Sequence, residues 1–243
     1  MSDYAGQKLL IFSAHATDFI SKCAGTVARY TAGGGHVRVV DLTFGERGEC
    51  AELWNRNPGI TVEMVKDIRK AEAAQAAEIL GAEIRFLDFD DTPLIMDRDR
   101  LLRMVDELHE FRPDIVLTHH LEDRLNYDHA ATTGTYIRAL KAAQQPGVRP
   151  GVKVLGAVKS FMFEPDQSEF SNFRPDTYID ITGVMDLRTQ AMEAIASQSY
   201  MIELCTNRAW YRGYQARRVS DDKSIQYAEA YMRFEPYVGR SFA

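Results

Sequence analysis

No segment of this chain approaches the roughly 20 consecutive apolar residues that a membrane-spanning helix needs, which excludes an α-helical integral membrane protein. Cysteine is scarce: Cys23, Cys50 and Cys205 are odd in number and lack Cys-x-x-Cys spacing. That excludes a disulfide-built scaffold and a closed thiolate metal site, and it reads as reduced thiols in a cytoplasm. Positive charge is in deficit, with 29 Lys and Arg against 35 Asp and Glu and a formal net charge of -6. The acidic excess is spread along the chain, with none of the cation clustering of a nucleic-acid surface, so neither nucleic acid nor membrane is expected as a partner. Residues Met1 to Lys8 lack the basic region, apolar stretch and small-residue cleavage site of a secretory leader, so export is not expected. Internal repeats are missing too, which excludes a solenoid.

What is present is the balance of a soluble globular protein: 45% hydrophobic and 26% charged residues in 243, enough to bury a full sheet between two helical layers. One catalytic domain over 1–243 is expected. Residues 8–13 (KLLIFS) form an apolar run of the kind buried on both faces of a parallel sheet, and 20–31 then has helical character. The pattern repeats: a strand over 36–44, a polar Gly-containing loop and a helix over 62–80 closed by Gly81. A strand over 83–89 and a helix over 99–111 ended by Pro113 follow, then a strand over 115–118 and a helix over 128–143. This alternation predicts an α/β fold, a Rossmann-like, mostly parallel sheet with helices on both faces. Beyond the Pro- and Gly-rich loop QQPGVRPGVK, strands over 154–164 and 177–181 are expected to extend the same sheet, with helices over 184–205 and 224–234.

In an open parallel sheet, ligands bind beyond the carboxyl ends of the strands. The first such loop, Ser13-Ala14-His15-Ala16-Thr17-Asp18-Phe19, puts an imidazole and a carboxylate three residues apart in a strand-to-helix turn. The fourth, over 118–129, reads THHLEDRLNYDH. Two His and one carboxylate drawn from two such loops make a three-ligand metal site with positions left open for water and substrate, the catalytic rather than the structural arrangement. The same donor set suits non-haem Fe(II), so zinc and iron both stand at this point. The run Arg208, Arg212, Arg217 and Arg218 reads as a solvated face.

The stretch AHATDF at 14–19, the TFGERG loop at 43–48, the Asp128-His129 pair, and Tyr178-Ile179-Asp180-Ile181 with Ser197-Gln198 resemble the PIG-L/LmbE-like zinc deacetylases. In that family the motifs read A-H-P-D-D-E and H-P-D-H, and the first His, the second Asp and the last His hold zinc. The resemblance thus implies one Zn2+ per chain on His15, Asp18 and His129, with Asp128 as the carboxylate that orients a neighbouring imidazole. The departures are informative. Thr17 stands where the deacetylases have their general-base Asp, and a hydroxyl does not accept a proton usefully at neutral pH. Asn126 replaces an oxyanion-stabilising His; it donates a hydrogen bond but carries no charge. Ile195 stands where a His often precedes Ser-Gln. Keeping the metal ligands while losing the hydrolytic base implies a different reaction rather than decay. The wording AHATDF, FGERGECAELW and QAMEAIASQ is similar to the 4-oxalomesaconate hydratases of gallate degradation, a hydratase branch of the PIG-L family.

That branch implies a zinc-dependent hydro-lyase that adds water to an oxo-tricarboxylate, 4-oxalomesaconate, to give 4-carboxy-4-hydroxy-2-oxoadipate in gallate or protocatechuate breakdown. Glu46, by family position, and Glu49, by the hydratase-like wording, are the implied acid/base carboxylates, with Asp128 and Asn126 beside them. Thr17 is left as a substrate contact. Arg47, Arg69 at the helix position of the family's substrate-binding Arg, and Arg124 are the guanidinium groups expected to clamp substrate carboxylates. A cytoplasmic homo-oligomer is the expected state. Two other classes remain: a zinc N-deacetylase of an N-acetylated sugar or thiol precursor, with Glu46 or Glu49 replacing the lost Asp, and a catalytically silent metal- or ligand-binding module.

Overall fold

In the computed structural model, which describes residues 4–240, the apolar run KLLIFS becomes β1 (Lys8–Ser13). Residues 1–3 and 241–243 of the domain expected over 1–243 lie outside the described residues. The chain continues as α1 (Asp18–Ala32), β2 (His36–Asp41), α2 (Ala51–Arg56), α3 (Val62–Leu80), β3 (Glu83–Phe86), α4 (Arg98–Phe111), β4 (Ile115–Thr118) and α5 (Tyr127–Ala143). It ends with β5 (Lys159–Phe163), β6 (Thr177–Asp180), α6 (Met185–Glu193), α7 (Met201–Val219) and β7 (Ala228–Arg233).

The seven strands form one sheet in the order β3-β2-β1-β4-β5-β7-β6. The first five are mutually parallel, and β7 runs antiparallel to both β5 and β6. Successive side chains of a strand point to opposite faces, so β1 feeds two cores. Leu9 and Ile11 pack with Phe19 and Val27 of α1, Ala73 and Ala77 of α3, and Met192 of α6. Leu10 and Phe12 pack on the other face with Met104 and Leu108 of α4 and Tyr136 of α5. Each such fully buried side chain contributes about 1.5–3 kcal/mol relative to exposure.

This arrangement decides where a ligand goes. β1 and β4 are neighbours, yet the helix that follows β1 lies on one face and the helix that follows β4 lies on the other. The loops after β1 and β4 therefore diverge and leave a crevice at the carboxyl end of the sheet, a topological switch point.

The fold departs from expectation in four respects. The helix expected over 184–205 is two helices: α6 stops at Glu193, a 3-10 turn spans Ala196–Gln198, and α7 runs on to Val219. The break turns Ser197 and Gln198 inward, where both are buried. The helix expected over 224–234 is β7, which fills the gap between β5 and β6. Its Ala, Glu and Met favour a helix locally, but two waiting strand edges supply a full ladder on both sides and override that preference. The loop after β2 also contains the short α2, for which the polar sequence offered no periodic signal. The strands expected over 36–44, 83–89 and 154–164 are shorter, spanning His36–Asp41, Glu83–Phe86 and Lys159–Phe163.

Candidate metal centre

Each ligand candidate sits where an element begins or ends. Ser13 closes β1, His15 lies in the following turn and Asp18 opens α1; on the other side of the crevice Thr118 closes β4 and His129 is in the first turn of α5. Asn126 caps α5, its Oδ1 accepting from the backbone N–H groups of Asp128 (3.2 Å) and His129 (3.4 Å), which fixes the direction of the His129 side chain. Gly45, at φ 68°, lets the loop after β2 pass over His15: a Cβ there would lie 2.9 Å from the Glu49 side chain and 3.1 Å from the His15 Cβ.

The crevice brings His15, Asp18 and His129 together. His15 Nδ1 lies 3.1 Å from Asp18 Oδ2, and His129 Nε2 lies 3.4 Å from Asp18 Oδ1. The outer nitrogen of each ring is held by another carboxylate: His15 Nε2 by Asp128 Oδ2 at 3.4 Å, and His129 Nδ1 by Asp123 Oδ2 at 2.9 Å. This fixes the inward nitrogens, and His129 Nε2 is buried without any hydrogen-bond partner. A buried ring nitrogen 3.4 Å from a carboxylate oxygen and without a hydrogen-bond partner is a donor that suits a divalent cation. Donor atoms of His15, Glu49 and His129 lie within 4.8 Å of one another, as do those of Asp18, His119 and His129.

His119 is the exception within that cluster. Its ring stacks on His129 with centroids 3.9 Å apart, but its Nε2 accepts the backbone N–H of Ala14 at 2.9 Å, so the lone pair that would bind an ion is spent. Burial and the neighbouring His129 push its pKa well below the ordinary value. The other groups respond to each other's charge. Burial opposes charging His15, yet Asp18, Asp128 and Glu49 outweigh it and hold its pKa well above the usual histidine value. Burial likewise opposes charging His129, and Asp18 and Asp123 raise it. For Asp18, burial is overcome by His129, His15 and His119, and its pKa falls well below the usual carboxylate range. The carboxylates thus demand positive charge at this point, and a bound cation meets that demand in place of protons.

Glu49 stands at the open side. Its side chain is 25% exposed, its Oε1 lies 3.7 Å from His15 Nδ1, and it accepts from Asn126 Nδ2 at 2.9 Å. Gln198 donates to the backbone carbonyl of Glu49 at 2.7 Å, while its own Oε1 accepts from Thr17 Oγ1 (2.6 Å) and Arg69 Nη1 (3.0 Å).

Four sequence expectations change here. Glu46 is fully buried, bonded to the Phe44 N–H and to Arg47, and no bond joins it to the His–Asp cluster; burial raises its pKa. Arg69, expected to grip substrate, is wholly buried and donates to Phe44 O, Ser197 Oγ, Gln198 Oε1 and Thr17 Oγ1, because α3 packs directly beneath the site. Thr17, expected as a substrate contact, is 6% exposed and its hydroxyl is bonded to Gln198 and Arg69. Arg47 is half-committed, its Nη1 lying against Glu46, Asp90 and Asp91. Arg124 by contrast is exposed in the metal-bearing loop, with no hydrogen bond or ion pair to any described residue. Asp128 accepts from the N–H groups of Thr92 (2.9 Å) and Leu94 (2.8 Å) as well as from His15; burial raises its pKa, but these bonds win and draw it to about 2.

Sequence reasoning did not single out Asp123, which sits six residues before His129 in the same loop, nor Tyr200, a phenol at the rim raised by burial and by the nearby charge of Glu49. An acidic residue within a His-bearing loop was the available signal for Asp123. Tyr200 gave none.

The family model of GlcNAc-PI de-N-acetylases (PIG-L) matches residues 10–140. A 4-oxalmesaconate hydratase of Pseudomonas putida is 40% identical over 237 residues, covering 96% of this chain and 92% of that protein. The crystal structure of GalB, the 4-carboxy-2-hydroxymuconate hydratase of Pseudomonas putida KT2440, superposes with a TM-score of 0.93 at 40% identity, covering 98% of this chain and all of that one. An N,N'-diacetylchitobiose deacetylase of Pyrococcus horikoshii shares the fold, with a TM-score of 0.79 at 20% identity over 94% of this chain and 84% of that one.

Proposed function

From the premise that the chain belongs to the PIG-L family, we propose that it is a zinc-dependent hydratase that adds water to 4-oxalomesaconate to give 4-carboxy-4-hydroxy-2-oxoadipate. One observation carries the reading: His15, Asp18 and His129 stand together, while position 17, the base in the family's deacetylases, is a Thr whose hydroxyl is bound to Gln198 and Arg69. The near full-length similarity to the Pseudomonas putida hydratases supports the substrate.

His15, Asp18 and His129 would hold one zinc ion per chain, which when bound supplies Lewis acidity toward an oxygen of water or substrate. Asp128 and Asp123 keep the two imidazoles in the tautomers that turn Nδ1 of His15 and Nε2 of His129 inward. Glu49 is the group that moves the proton: it is the partly exposed carboxylate beside the cluster, and Asn126 holds it in place. It takes a proton from the water whose oxygen bonds to C4; the electron pair of the C4=C5 double bond moves toward the C6 carboxylate, and C5 receives a proton. Arg124 supplies the free guanidinium for a substrate carboxylate, with Arg47 behind it. The catalytic domain works in the cytoplasm as a homo-oligomer. Exposed Trp210, Tyr211 and Tyr214 on α7 support a contact between copies, and light scattering of Trp210→Glu beside the native protein checks it, the variant giving the smaller mass.

The test is the loss of the conjugated double bond's ultraviolet absorbance when 4-oxalomesaconate is added, with and without chelator, together with metal content by elemental analysis. A chelator-sensitive decay that Glu49→Gln lowers by about 100-fold or more is expected. Unchanged absorbance, with free amine released from N-acetylglucosamine derivatives instead, would establish the deacetylase.

A further inference from the structure

Of the arginine run on α7, Arg218 is exposed as a solvated face requires, but Arg208 and Arg212 are not. Arg212 is buried and paired through both its Nε and Nη2 with Glu164, and Arg208 reaches Asp166, which also takes the buried Lys22 of α1. Lys22, Glu164, Arg208 and Arg212 line, with Arg188 of α6 and Glu229 of β7, a partly open pocket of about 20 Å3 between α1, α6, α7 and β7, room for one water-sized species. Arg188 is 2% exposed, and only its Nη2 makes a hydrogen bond, to Cys205 O at 3.1 Å. Its Nε and Nη1 have no partner. Glu229, the nearest carboxylate, stands 3.6 Å from Nε, and its oxygens are already taken by the N–H groups of Gly25 and Thr26, the Thr26 hydroxyl and the Tyr231 hydroxyl.

The four cations Lys22, Arg188, Arg208 and Arg212 thus exceed the three carboxylates Asp166, Glu164 and Glu229 by one charge. A desolvated guanidinium with two unmet N–H directions and a local excess of one positive charge costs several kcal/mol unless something answers both demands. Water answers the hydrogen bonds but not the charge.

We propose that this cavity is a binding site for one small monovalent anion, chloride being the size that fits, held by Arg188 Nε and Nη1. The site is separate from the metal cluster, none of whose residues lines it. Since its walls come from α1, α6, α7 and β7, the anion ties the helix that begins at Asp18 to the C-terminal helices.

The test uses the full-length, metal-loaded protein. Thermal melting in sodium chloride should exceed that in sodium gluconate of equal ionic strength by about 2–4 °C once chloride is several-fold above its Kd. Arg188→Met should lose that difference. Crystals soaked in bromide should show an anomalous peak beside Arg188; this measurement on the native protein decides the matter even if the variant does not fold. Equal melting in the two salts, or bromide found only elsewhere with a water beside Arg188, would overturn the site.

Discussion

His129 divides its two ring nitrogens between two tasks, Nδ1 bonded to Asp123 at 2.9 Å and Nε2 left bare inside the protein. Asp123→Asn keeps the shape but removes the charge that makes the ring a good donor. Metal affinity should fall about 10- to 100-fold, measured by competition with a coloured chelator, with the far-UV spectrum unchanged. Undiminished affinity would show that Asp123 does not orient the ligand. Thr17→Asp gives the opposite kind of result. The new carboxylate lands against Arg69, whose Nη2 is 2.8 Å from the present hydroxyl, and competes with Gln198 for it. The variant should gain no hydratase turnover; a clear rise in the absorbance assay would mean that position 17 still faces substrate.

The ends of elements are where the chemistry is mounted. Asn126 serves two purposes at the start of α5: its Oδ1 caps the helix and its Nδ2 holds Glu49. These separate by substitution. Asn126→Ala should cost about 1 kcal/mol in urea unfolding as well as activity, since it loses both cap and tether. Asn126→Asp keeps an acceptor for the cap but sets a carboxylate against that of Glu49, so stability should hold while kcat falls. Equal stability loss in both variants would contradict the division. The break between α6 and α7 matters in the same way, because an unbroken helix over 184–205 would leave Gln198 no means of reaching both Thr17 and the Glu49 backbone. That break had no Pro or Gly to announce it, and the run AIASQ is compatible with helix.

At the scale of the molecule, the demand for positive charge in the crevice couples folding to pH. In the metal-free protein the pKa values of His15 and His129 are raised above the unfolded value near 6.5, so their stabilisation is complete below that value and disappears as pH climbs through the folded values. Asp18 is depressed, so its contribution is present above the unfolded carboxylate value and vanishes as pH falls through the folded one. Metal competes with the same histidine protons. The gap in Tm between metal-loaded and chelator-treated protein should therefore widen from about pH 6 to about pH 9. A gap that narrows over that range would mean that the ion is not held by these imidazoles.

The amino-acid sequence by itself determined the parallel half of the fold and pointed to His15, Asp18 and His129, which the fold brings together, because both are written locally: double-sided apolar runs such as KLLIF, helix stops at Gly81 and Pro113, and a His and an Asp in one turn. It did not determine that Arg69 and Glu46 are sealed from substrate, that Asp123 completes the His129 arrangement, or that 228–233 is a strand. Burial and pairing depend on what arrives from elsewhere in the chain. A guanidinium on α3 reads the same whether α6 and the 196–198 turn close over it or leave it in water, and an Ala-rich segment becomes a strand only once two unpaired edges stand on either side of it.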